Sequence, residues 1–311
     1  MNDDIIIPES LKPGDTVAII SPASKVKEEY IDGAVVFLRQ KGFNPVVMPS
    51  AKGPAQGSFA ASYPERFGDL KNALTNPDIK AILCARGGYG CIHLLHDLKR
   101  ETVRKNPKWL VGFSDISALH ALWLKAGVAS LHGPMAKHLA TKDLDDPFSQ
   151  ALIHILENDG KFDISVKSTP YDFPGVGEGI LMGGNLAVLN ALASTPYDIL
   201  AVGENDETIL FIEDISEAIY EVERMLARLA LSGTLHRING LIVGKFTEYR
   251  ADSNFNTMEE MIHNFLKKHL IDPIPVSFGL PVGHTDQNYP LVEGARVRLT
   301  VNQHFTRLQT I

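Results

Sequence analysis

Cysteine is nearly absent: there are two in 311 residues, Cys84 and Cys91. One falls in an apolar run and the other at a helix start, which marks reduced fillers rather than a disulfide or a metal pair. No stretch approaches the roughly 18 consecutive apolar residues of a membrane span. Basic residues are outnumbered, 30 Lys and Arg against 37 Asp and Glu, for a net charge of −7. No basic block stands out, so neither nucleic acid nor a membrane is expected as a partner. The first residues, Met1-Asn2-Asp3-Asp4-Ile5-Ile6-Ile7-Pro8, carry acids where a signal peptide carries Lys or Arg, and the apolar run is too short. There is no His-Glu-x-x-His and no cluster with metal-ligand spacing, so no metal or cofactor is expected. Internal repeats and low-complexity segments are also missing. These absences lead to the expectation of a soluble cytoplasmic protein.

What is present is ordinary globular composition, 44% hydrophobic and 22% charged, in a chain long enough for two domains. Thr16–Ile20, Asn44–Met48, Ile79–Cys84 and Trp109–Val111 are short apolar runs. Between and after them lie helical patterns at about Lys27–Lys41, Pro64–Leu74, Cys91–Leu98 and Ser117–Lys125. This alternation implies a parallel sheet flanked by helices, with ligands at the C-terminal strand ends. From about 157 to 178 the pattern gives way to a polar run broken by Gly160, Pro170, Pro174, Gly175 and Gly177. Domains are therefore expected at 1–158 and 179–311, with 159–178 as the crossing. The second opens with Gly179–Leu186, read as a turn into a helix. Apolar Thr208–Ile212 then ends in Glu213-Asp214.

The stretch that organises the first half is Trp109-Leu-Val-Gly-Phe-Ser114-Asp-Ile-Ser117. A strand that turns sharply into a helix with a serine at the bend exposes the Oγ. It also offers a helix N-terminus and a following N–H to a developing oxyanion. The usual Gly-x-Ser-x-Gly is half matched, because Ile116 holds the last position; the plainer reading makes Ser114 and Ser117 helix caps. Such a serine needs a base and an orienting carboxylate. Of eleven histidines, those on helices (His93, His96, His120, His154 and His263) read as surface or packing residues. His132 and His284 lie in Gly-flanked loops after apolar runs, where side chains reach sites. Glu213 and Asp214 are equal candidates for the carboxylate. Arg86-Gly-Gly-Tyr-Gly90 could cradle an anion on its N–H groups; it is neither Gly-x-Gly-x-x-Gly nor a Walker A loop.

Taken in order, these segments resemble the LD-carboxypeptidase family of serine peptidases, which includes the muramoyltetrapeptide carboxypeptidases and the microcin C immunity peptidases. The resemblance is carried by Leu11-Lys-Pro-Gly-Asp15 with Ser21-Pro22, by Arg66-x-x-Asp69-Leu70, and most specifically by Ala81-Ile-Leu-Cys-Ala-Arg86-Gly-Gly-Tyr-Gly90. Gly112-Phe-Ser-Asp115, His132-Gly-Pro134, Gly183-Gly-Asn-Leu186, Phe211-Ile-Glu-Asp214, Arg224-Met-Leu226 and Gly283-His284 follow. It implies a flavodoxin-like α/β first domain, a smaller α/β second domain, an active site in the cleft between them, and a homodimer. It also implies Ser114 as nucleophile, Glu213 and His284 as the rest of the triad, and an oxyanion hole from the N–H groups of Asp115 and Gly88.

The implied reaction releases the terminal D-Ala from a murein tetrapeptide, after L-diaminopimelate or L-lysine, in cytoplasmic cell-wall recycling. Arg86 and Asn185 are candidates for the substrate's free carboxylate. Two departures from the family pattern stand out: Phe59-Ala-Ala-Ser62 lacks the usual Gly-Thr step, and Ser194 replaces a common Gly. The alternatives are an immunity-type peptidase acting on a peptide–nucleotide antibiotic, and a non-enzymatic small-ligand binder. Immunity-type members tend to be longer and carry an added aromatic loop, whereas this chain has only Trp109 and Trp123.

Overall fold

The computed structural model describes residues 5–311; Met1–Asp4, part of the N-terminal reading above, lie outside the described residues. The chain forms two compact units. One runs to Lys161 and regains Asn288–Gly294; the other holds Phe162–Gln287 and Ala295–Ile311. No helix among the described residues is long and apolar enough to cross a membrane.

In the first unit, β1 (Thr16–Ile20), β2 (Asn44–Val47), β3 (Ile79–Cys84), β4 (Trp109–Gly112) and β5 (Ser130–His132) are parallel in the order β2-β1-β3-β4-β5. This is the flavodoxin-like order, whose switch point lies between β1 and β3. Leu291–Glu293 adds antiparallel to the edge of β5. Continuous apolar runs suit strands covered on both faces: Ala18, Ile19 and Ile20 of β1 and Trp109 and Leu110 of β4 are wholly buried. The helix Tyr63–Thr75 starts at Ser62 with a reciprocal capping box to Glu65, which satisfies two N-terminal donors. Its Arg66 and Asp69 are buried and hold the turns after β1 and β2 respectively. Arg66 donates to Pro22 O at 2.6 Å, and Asp69 accepts from Ser50 N–H at 2.6 Å.

The second unit is built on a mixed sheet. It comprises β6 (Asp163–Lys167), β7 (Gly175–Asn185), β8 (Thr208–Ile215), β9 (Gly240–Thr247), β10 (Val276–Ser277), β12 (Arg296–Val301) and β13 (Phe305–Thr310), the strand Leu291–Glu293 of the first sheet being β11. Its order is β10-β9-β8-β7-β12-β13-β6, with β7 to β10 parallel. Helix Ile219–Leu231 buries Val222, Met225, Leu226 and Leu229, and helix Met258–His269 buries Met261, Ile262 and Leu266.

Much of the stretch expected to be a crossing, 159–178, is therefore sheet, and Gly179–Asn185 is strand rather than turn. The glycines that suggested a loop answer to close backbone approach. A Cβ on Gly177 would stand 2.0 Å from Asn239 O, closer than any side chain tolerates.

Ser194 occupies a left-handed conformation, φ 62°, which costs an L-residue about 1–2 kcal/mol and glycine almost nothing. Ser194→Gly is expected to raise the unfolding free energy by up to about 1 kcal/mol once the unfolded chain's extra entropy is deducted. Urea titration of the two proteins side by side would check this.

Candidate active site

The serine turn is built from β4. Its four residues are buried, and the chain leaves Gly112 through an extended Phe113 (φ −151°, ψ −173°) into Ser114 at φ 68°. A left-handed serine is uncommon and strained. Downstream, a short 3₁₀ turn, Ser114–Ile116, runs into helix Ser117–Lys125, and Ser117 N–H donates to the carbonyls of Ser114 and Asp115. Ile116, at the unmatched motif position, is wholly buried, while Ser114 remains half-exposed.

The turn after β3 is seated against this bend. A Cβ on Gly87 would lie 2.7 Å from Ser114 Cβ, 2.9 Å from its Oγ and 3.1 Å from Asp115 N. Only glycine allows that approach, which sets the Gly87 backbone beside Ser114 and the Asp115 nitrogen. The turn is tied at four points. Gly87 O accepts from Ser24 N–H at 3.1 Å, and Tyr89 N–H donates to Ser24 Oγ at 3.1 Å. Gly90 O accepts from Arg66 at 3.2 Å, and Cys91 N–H donates to Asp115 Oδ2 at 2.8 Å. Burial pushes the Asp115 carboxyl pKa up, against the bond from Cys91 and the charge of Arg66. Burial likewise raises both thiols, Cys84 and Cys91, out of nucleophilic range. Arg86 is exposed, and one nitrogen donates to Lys25 O at 2.7 Å.

Within the second unit, β8 carries Glu213 and Asp214 to its buried end, at 0% and 2% exposure. The β8–β9 register shifts between Ile212 and Asp214, and such a bulge re-aims side chains. Glu213 Oε2 lies 2.7 Å from His284 Nδ1. A carboxylate accepts, so Nδ1 carries the proton and Nε2 is left as the basic nitrogen. Burial pulls the His284 pKa down, but the Glu213 hydrogen bond and charge, with Asp214 and Glu248 behind them, outweigh it and raise it above 6.5. Asp214 is used differently. It accepts from Asn185 Nδ2 at 2.8 Å, Ala187 N–H at 2.8 Å and Ile215 N–H at 2.9 Å. Burial and the Glu213 charge push it to about 7. Asn185 caps helix Leu186–Ala191 through Val188 N–H and is buried, so its amide is committed inside the unit.

One histidine differs from its sequence reading. His132 is not in a loop but on β5, wholly buried between the rings of Phe113 (5.8 Å) and His120 (6.3 Å). His120, read as a surface or packing residue, is also wholly buried and hydrogen-bonded through both ring nitrogens. Among the described residues, no group of three His, Cys, Asp or Glu side chains is arranged to hold a metal ion.

Comparison with known proteins places these segments. The pattern of the LD-carboxypeptidase N-terminal domain matches residues 17–133, and that of the LD-carboxypeptidase C-terminal domain matches 178–299. The chain belongs to the LD-carboxypeptidase family. Its LD-carboxypeptidase relatives include the murein tetrapeptide carboxypeptidase of Pseudomonas aeruginosa, 30% identical over 91% of this chain and 94% of that protein. The probable murein peptide carboxypeptidase of Bacillus subtilis is 30% identical over 94% and 91%. The solved muramoyltetrapeptide carboxypeptidase from Oxalobacter formigenes superposes with a TM-score of 0.84 at 32% identity, covering 95% of this chain and 98% of that one. MccF in complex with glutamyl sulfamoyl guanosine shares the fold, with a TM-score of 0.84 at 22% identity over 98% of both chains. The LD-carboxypeptidase C-terminal pattern includes β11, although that strand pairs in the first unit's sheet.

Three outcomes are expected. Gly87→Ala should abolish labelling of Ser114 by a fluorophosphonate, whereas Gly68→Ala, with nothing within 4 Å of its Cβ position, should label normally; mass spectrometry of the intact protein reads both. His284 should titrate above 6.5 by NMR. The stabilisation that this shift represents is present below the unfolded imidazole's pKa and is lost as pH rises through the folded value. Glu213→Gln removes the main raising influence, so the His284 pKa should fall.

Proposed function

We propose that this protein is a serine-type LD-carboxypeptidase that releases the terminal D-Ala of murein tetrapeptides, at the bond after L-diaminopimelate or L-lysine. The observation that carries the reading is the Glu213–His284 hydrogen bond, in a chain that also bends left-handed at Ser114 after a buried parallel strand. In this reading His284 Nε2 takes the proton from Ser114 Oγ, and Glu213 fixes the tautomer and balances the imidazolium. Ser114 attacks the carbonyl of the L-centre. The oxyanion is stabilised by the Asp115 and Gly88 N–H groups, at about 3 kcal/mol per donor. His284 then protonates the departing D-Ala amine, and water releases the acyl group by the reverse sequence.

Arg86 suits the free carboxylate of the D-residue better than Asn185. Its guanidinium is exposed and made for bidentate carboxylate binding, while the Asn185 amide is already hydrogen-bonded to Asp214. The proposal extends to trimming of recycled wall peptides in the cytoplasm, by a homodimer. A peptide–nucleotide substrate is less well supported: both tryptophans are wholly buried and unable to stack on a base.

The test is D-Ala release from L-Ala-γ-D-Glu-diaminopimelyl-D-Ala. The wild type should turn over and Ser114→Ala should not; Glu213→Gln should lose about 10³–10⁴ in kcat. Turnover that survives in Ser114→Ala would remove the serine from the mechanism. Cleavage of a peptidyl nucleotide in place of the tetrapeptide would turn the assignment to the immunity-type activity.

A further inference from the structure

Behind the serine bend lies a group of buried polar side chains that the reaction above does not use. His120, Ser130, His132 and Glu293 are all 0% exposed. His120 Nδ1 is 2.8 Å from Ser130 Oγ and 4.0 Å from Glu293 Oε1. These are the residue types of a hydrolase triad, but no atom of the group reaches solvent. The other ring nitrogen is also taken: Nε2 lies 2.9 Å from Gly112 O. A carbonyl only accepts, so Nε2 bears the proton. Burial holds His120 neutral by pulling it down to about 4, against the bond to Gly112. Nδ1 is then an acceptor, and the Ser130 hydroxyl donates to it.

Gly112 is the last residue of β4, and His120 sits one turn into the helix that follows. The imidazole therefore bridges the two arms of the bend, with Ser114 between them. Gly112 O also accepts from Gly133 N–H at 3.1 Å, so both of its lone pairs are used. A left-handed serine persists only where its flanks are fixed. Apolar residues would fill the same space without the desolvation cost of buried polar groups. Their presence calls for a role that apolar packing does not supply, namely a directed bond to one carbonyl.

We infer that His120 is a positioning residue for Ser114: its Nε2–H pins the Gly112 carbonyl across the bend, and Ser130, on β5, holds the ring in the tautomer that can do so. This rests on Ser114 being the nucleophile. The test is the rate of Ser114 labelling by a fluorophosphonate, which needs no murein peptide, read on the full chain well below each variant's melting midpoint. His120→Phe keeps a ring without the donor and should label at least about tenfold more slowly, the order expected when a reacting atom is misplaced by a fraction of an ångström. His120→Gln returns an N–H near the Nε2 position and should recover most of the rate. Folded His120→Phe protein labelling at the wild-type rate, or His120→Gln as slow as His120→Phe, would overturn the inference. Should His120→Phe not fold, Ser130→Ala decides: slower labelling supports the role and an unchanged rate removes it. A wild type that is not labelled at Ser114 would instead bring down the nucleophile assignment, and this inference with it.

Discussion

A serine held at φ 68° is the constraint around which the first unit is arranged. The conformation costs about 1–3 kcal/mol, and the neighbouring contacts read as what maintains it. Upstream, Gly112 is fixed by Gly133 and His120. Downstream, Ser117 closes the 3₁₀ turn and Asp115 reaches across to Cys91. On the open side Gly87 is pressed against the serine, its own turn anchored by Ser24 and Arg66. Arg66 is buried on the carbonyls of Pro22, Ala61 and Gly90 and lies 4.5 Å over the Phe59 ring. It links the turns after β1 and β3, the two strands at the sheet's switch point.

The second unit solves a different problem, the placement of a carboxylate with no exposure to water. Glu213 is compensated by one strong partner, His284, and Asp214 by three donors, two from the β7–helix junction and the third from Ile215 on its own strand. Burial, and after it the Glu213 charge, raises the Asp214 carboxyl to about 7. The hydrogen-bonded geometry thus keeps Glu213 available to hold the imidazole tautomer while its neighbour serves the backbone.

Much of this was legible in the sequence. Continuous apolar runs announced β1, β3, β4 and β8, and Arg86–Gly90 stood out as a Gly-rich segment whose N–H groups could be presented to a ligand. What remained hidden depended on partners distant in the chain. Glu213 and Asp214 looked alike because the bulge that aims one of them at His284 arises from pairing with β9. His132 looked like a loop residue because the strand that covers it, β11, begins only at Leu291. The same distance concealed His120, whose neighbour Glu293 lies on that strand. In β7 the glycines imitated a linker, although they are there to let adjacent backbones meet.

The excursion of Asn288–Gly294 into the first unit's sheet also bears on how such a protein could be divided. A chain cut after Lys161 would contain the five parallel strands and the serine bend, yet lack the strand that covers β5. Its open edge would invite pairing with any other extended chain, and His120 would lose Glu293 from its surroundings. Neither half is a cassette that recombination could move by a single exchange. The interlaced order of segments binds the fate of the serine bend's scaffold to chain synthesised more than a hundred residues later.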